Sequence, residues 1–168
     1  PGTGHHAAIG GLLQHTCEVV SIGKQMARVA RADAELVIVG AMLHDIGKLE
    51  SYSWETGVFE TTEAGRMTGP IILRHAMLRD RIAEPETAPC TEDEQMVLEH
   101  LILSHHGERE HGSPVLPMTV EAFLLASSDH LDATINQVRH LVASDDSTGP
   151  YTAYSKRLDR KLFKTSTS

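Results

Sequence analysis

Apolar residues recur at three- and four-residue steps from Ala7 to Val29 (Ile9, Leu12, Leu13, Val19, Val20, Ile22, Met26), the spacing of one face of an amphipathic helix. Asp33 offers an N-cap to a second helix. Its run Leu36 to Leu43 is apolar nearly all round, as in a central buried helix, and Gly47 stops it. Glu50 to Thr62 mixes aromatic residues with Gly57 and several Ser and Thr, which predicts a loop or short hairpin able to cover a site. Ile71, Ile72, Ala76 and Leu78 form a third helix begun near Pro70, which a first helical turn tolerates, and ended by Pro85 and Pro89. Thr91 with Glu94 makes a capping box ahead of Met96, Leu98, Leu101 and Ile102, a helix that stops at Gly107. After a turn at Gly112-Ser113-Pro114, Thr119 caps a long helix through Phe123, Leu124, Ala126, Leu131, Ile135, Val138 and Val142. Ser144 to Pro150 breaks the pattern. A short terminal helix carrying Lys156, Arg157, Arg160, Lys161 and Lys164 is expected next, with a disordered Ser-Thr tail. The expected architecture is therefore all-α, about six helices with one loop or hairpin, and no internal repeat.

Length and composition fit this picture. One domain over residues 1–168 is expected from the chain length, and a 4% aromatic share argues against a sandwich or barrel. The formal net charge of −8 excludes binding of a phosphate backbone by overall charge alone, so any nucleic acid must be held locally or with help from another domain. Two separated cysteines, Cys17 and Cys90, form neither a metal nor a redox motif, and a reducing cytoplasm is the natural setting. No run approaches the roughly 20 apolar residues of a membrane span. The chain does not begin with Met, so segments ahead of residue 1 are expected.

Eleven histidines are dispersed through ordered-looking segments, and several interrupt apolar helix faces. His15 lies between Leu12 and Val19, His44-Asp45 closes the apolar second helix, His105 continues Leu98-Leu101-Ile102, and Asp129 continues Ala122-Ala126. Any one of them alone reads as a hydrogen-bonded core residue. Their agreement across separate helices points instead to a shared divalent cation, which offsets the cost of burying carboxylate and imidazole groups. Mixed nitrogen and oxygen donors suit a transition metal rather than magnesium or calcium.

Leu43-His44-Asp45-Ile46-Gly47-Lys48 resembles the signature of the HD phosphohydrolase superfamily. Gly10 to Thr16, Ile102 to Glu108, Gly112 to Val115 and Ser128 to Ala133 extend the match to the HD domain of the YhaM-type 3'-to-5' exoribonuclease family, over roughly residues 5 to 136. The resemblance implies a helical HD bundle and hydrolysis of phosphodiester bonds at the 3' ends of RNA or single-stranded DNA. It implies His15, His44, Asp45 and Asp129 as ligands of manganese, with cobalt, iron, nickel or zinc as alternatives. In two-metal relatives Asp45 would bridge the ions, and His105 and His106 would complete the second site. Here Gly69-Pro70 stands where the subfamily has Gly-His, which puts one second-metal ligand in doubt and leaves one ion or two open; His75 is either a substitute ligand or a boundary residue. Lys48 is read either as a phosphate contact beside the catalytic Asp45 or as a complement to a helix dipole. His130 and Asp132 are expected to orient Asp129 and its neighbours, and His5 and His6 are candidates of lower rank.

The leading functional expectation is a metal-dependent phosphodiesterase acting as a 3'-to-5' exonuclease on single-stranded nucleic acid. An OB-fold domain before residue 1, of the kind that binds single strands, would relieve the acidic balance. The alternatives are a phosphohydrolase of a small or signalling nucleotide and a non-catalytic metal-stabilised module. Assembly into a homo-oligomer stays open.

Overall fold

The computed structural model describes residues 10–53, 60–84, 86 and 90–164. His5 and His6 lie outside this set, as do the start expected for the first helix and the Ser-Thr tail. The element order is α1 (Gly11–Ala30), α2 (Ala34–Leu43), α3 (Lys48–Ser51), β1 (Tyr52–Ser53), β2 (Glu60–Thr61), α4 (Glu63–Met67), α5 (Pro70–Ala83), α6 (Glu92–Ser104), a 3-10 turn (Arg109–His111) and α7 (Val120–Ala143). The all-helical reading and the hairpin after the His-Asp pair are both found: β1 and β2 pair antiparallel, Tyr52 opposite Thr61. No helix of the described residues is long and apolar enough to cross a membrane.

Local chemistry sets the helix ends. Asp33 caps α2 by accepting from the Glu35 and Leu36 amides at 2.9 and 3.1 Å. The capping box of α6 is complete: Thr91 Oγ1 accepts from the Glu94 amide at 3.2 Å, and Glu94 Oε2 accepts from the Thr91 amide at 2.8 Å. Thr119 Oγ1 starts α7 by accepting from the Ala122 amide at 3.1 Å.

The core joins α1, α2, α6 and α7 through Val19, Ala41, Leu101, Ala122 and Leu125. On α1 the buried residues step by four: Gly11, His15, Val19, Gly23, Ala27. On α7 they are Ala122, Leu125, Ser128 and Asp132. Each stripe thus turns from apolar to polar as it runs toward one end of the bundle. Gly40 of α2 lets Leu101 and Leu125 approach to within 3.0 and 3.2 Å of where a Cβ would lie, so the three helices meet closely just before His44.

Two expectations are corrected. α2 is buried on one face only, through Val37, Gly40 and Ala41, while Val39 and Met42 are exposed; one short helix on a small bundle cannot be covered all round. The terminal helix expected around Lys156 to Lys164 is instead a folded-back strap, with antiparallel bridges Tyr151–Phe163 and Ser155–Arg160. Asp145 decides this, since its carboxylate accepts from the Ser147 and Ala153 amides and from Lys164 Nζ at 3.1, 2.7 and 2.6 Å. That basic segment also lacks the apolar period that holds the other helices against the core.

Candidate metal centre

α1 delivers His15, the C-terminus of α2 delivers His44 and then Asp45, and α7 delivers Asp129 one turn before Asp132. His15, His44 and Asp45 are buried, and Asp129, with a side chain 19% exposed, is the most open of the four. Among the described residues, His15, His44 and Asp129 present ligand atoms that all lie within 4.8 Å of one another. His15 Nε2 is 3.1 Å from His44 Nε2 and 3.2 Å from Asp129 Oδ1. Asp45 Oδ2 adds a fourth atom, 3.5 Å from His15 Nε2 and 3.6 Å from His44 Nε2.

Hydrogen bonds on the far side of each ring assign the tautomers. His44 Nδ1 donates to the Ala41 carbonyl at 2.7 Å, and His15 Nδ1 donates to Asp132 Oδ2 at 2.6 Å. Asp132 is itself held by Asn136, whose Nδ2 donates to Asp132 Oδ1 at 3.0 Å. Both Nε2 atoms are therefore left as lone pairs facing each other and two carboxylates, an arrangement of acceptors that a cation or an extra proton must reconcile. Two imidazoles and two carboxylates are the donor chemistry of a divalent transition metal, and the residues fit such an ion.

The electrostatics differ between the two rings: in the absence of a cation the extra proton is favoured at His15, while His44 stays neutral. Burial would lower His15, but its bonds to Asp129 and Asp132 outweigh this and raise its pKa above the ordinary histidine value. Burial dominates at His44 and lowers it, favouring the neutral ring that a ligand needs. Burial acts to raise both carboxyls, yet both fall below the usual carboxylate range. At Asp45 the proximity of the His44 ring, Lys48 and Arg74 prevails, and at Asp129 the contact with His15 and the proximity of the His44 and His105 rings do.

The remaining predicted residues divide. His105, buried at the end of α6, stands in a row of rings, its centroid 5.5 Å from His44 and 4.2 Å from His106. His106 donates through Nδ1 to the His111 carbonyl at 2.8 Å. Ser113 pins this corner by donating to the Leu103 and Val115 carbonyls at 3.1 and 2.8 Å. Lys48 Nζ is bonded to Asp45 Oδ2, with its side chain 41% exposed. His130 stacks on His111 at 6.4 Å and, with Arg157 and Arg160, lines a cavity of about 340 Å³ between α7 and the strap. His75 lies on α5 paired with Glu99, Nε2 to Oε2 3.1 Å.

Arg74 is the residue that sequence reasoning missed. It is fully buried, donating through Nη2 to Asp45 Oδ1 at 2.9 Å and through Nη1 to His105 Nε2 at 2.6 Å. Its signal was present, because Arg74 follows Ile71 and precedes Leu78 on the apolar stripe of α5, where an arginine has no solvent to reach.

A family model described as "HD domain" matches residues 12–134. The chain is 34% identical over 160 residues to the 3'-5' exoribonuclease YhaM of Bacillus licheniformis, covering 95% of this chain and 49% of that protein. It is 35% identical over 135 residues to the protein of the same name from Bacillus subtilis, covering 80% and 42%. A third such relative, from Shouchella clausii, is 35% identical over 137 residues, covering 80% and 41%. The chain spans about half the length, or less, of these curated relatives. No solved structure matches it.

Proposed function

The chain belongs to the HD domain family, and from that premise we propose that it is the hydrolytic part of a metal-dependent phosphodiesterase that removes nucleotides from the 3' ends of single-stranded RNA or DNA. The observation carrying this reading is the convergence of His15 Nε2, His44 Nε2, Asp129 Oδ1 and Asp45 Oδ2 on one small space beside the partly open Asp129. The substrate class follows from the relatives named as 3'-5' exoribonucleases.

In this reading His15, His44, Asp45 and Asp129 hold one divalent transition-metal ion, the class that their nitrogen and oxygen donors suit, with manganese as the first expectation from the family resemblance. When bound, the ion supplies Lewis-acid chemistry, drawing charge from a phosphoryl oxygen and acidifying water. The chain's own residues do the rest. Asp132 fixes the His15 ring and the Ala41 carbonyl fixes the His44 ring, so the ligand nitrogens need no reorganisation. Asp45 is held as a carboxylate by Lys48 and Arg74. Lys48, bonded at the rim and partly exposed, is placed to trade Asp45 for a phosphate oxygen.

The acidic balance favours one other reading, in which this chain acts on a small nucleotide ester rather than a polymer. A 5'-labelled single-stranded oligonucleotide and a panel of mononucleotides, each assayed with manganese and with chelator, separate the two. Progressive 3' shortening that chelator abolishes is expected. Untouched oligonucleotides beside a cleaved mononucleotide would overturn the proposed substrate, and no turnover of any ester would overturn the hydrolase.

A further inference from the structure

The buried cation at Arg74 sits where a second metal ion would have to go. Asp45 divides its two oxygens between two positive partners. Oδ2 faces the His15, His44 and Asp129 cluster, and Oδ1 accepts from Arg74 Nη2 at 2.9 Å. On the other side of the guanidinium, His105 Nδ1 donates to the Ile102 carbonyl at 2.6 Å, so its Nε2 is the lone-pair nitrogen, and that lone pair accepts from Arg74 Nη1 at 2.6 Å. The two donors that a second ion beside Asp45 would use are thus bridged by one guanidinium, which stays charged at any ordinary pH.

Arg74 is not free to leave. It is fully excluded from solvent, and its Nε has no hydrogen-bond partner among the described residues, so the side chain is held there at the cost of an unpaired polar atom. The Gly47 backbone seats it: a Cβ on Gly47 would lie 2.7 Å from Arg74 Cβ and 2.4 Å from the Pro70 carbonyl oxygen. A second dication would therefore meet a fixed positive charge in a dry enclosure, with its donors already taken.

We infer that Arg74 is an internal cation standing in for a second metal ion, so that this centre takes up a single divalent ion and Arg74 positions Asp45 toward it. His105 then serves as the acceptor that anchors the guanidinium, not as a ligand. This rests on the metal-dependent reading above.

The test is a metal count on the full chain, stripped with chelator, reloaded with manganese and desalted, with the electron paramagnetic resonance spectrum recorded alongside. The expected result is one equivalent with an isolated, uncoupled manganese signal. Arg74→Lys keeps one equivalent. Arg74→His, which removes the fixed charge, frees Asp45 Oδ1 and His105 Nε2 and adds a nitrogen donor, takes up a second equivalent with an exchange-coupled signal. Two equivalents on the wild-type chain or on Arg74→Lys overturn the inference, whether or not Arg74→His folds. A folded Arg74→His variant, judged by its helical circular dichroism, that still holds one ion also overturns it. No ion on the wild-type chain sinks the metal-dependent reading itself, whereas one ion with intact oligonucleotides sinks only the proposed substrate.

Discussion

Replacing Gly47 by alanine tests how closely α5 must approach the turn that carries His44 and Asp45. Gly47 has φ −63° and ψ −11°, a conformation that alanine adopts readily, so backbone entropy alone predicts stabilisation of about 0.4–1 kcal/mol. Packing predicts the reverse. The added Cβ would stand 2.4 Å from the Pro70 oxygen, 2.7 Å from Arg74 Cβ and 2.9 Å from the Arg74 nitrogen, all below any normal carbon contact. Two of these three atoms are backbone, so no side-chain rotation relieves them, and the start of α5 must move by about 1 Å to restore ordinary contact. Overpacking of this kind costs typically about 1–3 kcal/mol, which exceeds the entropic gain. For a chain of this length each kcal/mol shifts Tm by about 2–4 °C, so the net expectation is a fall of a few degrees, up to about 10 °C. The assay is thermal unfolding by circular dichroism of Gly47→Ala beside Gly149→Ala, since nothing lies within 4 Å of a Cβ at Gly149. A Tm for Gly47→Ala equal to or above that of the unmodified chain would refute the argument from close approach.

Two other perturbations report on parts of the molecule away from α5. Asp132→Asn removes the charge that orients His15 from 2.6 Å, and manganese affinity measured by titration calorimetry should weaken on the order of 10- to 100-fold; an unchanged Kd would show that the His15 ring is oriented without it. Asp145 has its pKa pulled down chiefly by its bonds to Lys164 and Ser147. A carboxyl lowered in the folded state stabilises above its unfolded pKa, about 4, and that contribution is lost as pH falls from there toward the lowered value. Amides of residues 151–164 should therefore lose hydrogen-exchange protection below about pH 4 once intrinsic rates are corrected. Asp145→Asn should show the same loss at neutral pH, and equal protection in the variant and the unmodified chain would count against the strap being tied there.

Much of the fold follows from short-range rules, because caps and helical periods act over three or four residues. The Asp33 cap, the Thr91–Glu94 box and Pro70 at the first turn of α5 all lie where such rules put them. The strap was not legible in this way. Lys156 to Lys164 carries residues compatible with a helix, but Asp145, up to 19 positions away, holds Ser147, Ala153 and Lys164 in a folded-back path. α2 was misjudged for a related reason, since its apolar content says nothing about how many neighbours are present to cover Val39 and Met42.

By itself the sequence determined the long helices α1, α2, α5, α6 and α7 and, through polar residues on apolar faces, that His15, His44-Asp45 and Asp129 belong to a common interior. Only the tertiary structure decided which atoms meet there. The Nε2 lone pairs of His15 and His44 are exposed to each other because Asp132 and the Ala41 carbonyl, remote from the meeting point, occupy the other nitrogen of each ring. Arg74 reaches Asp45 and His105 because Gly47 carries no side chain to hold α5 away. Sequence spacing encodes the face on which a side chain lies, whereas the separation between faces, and hence which donor finds which acceptor, is set by how closely the packed helices approach.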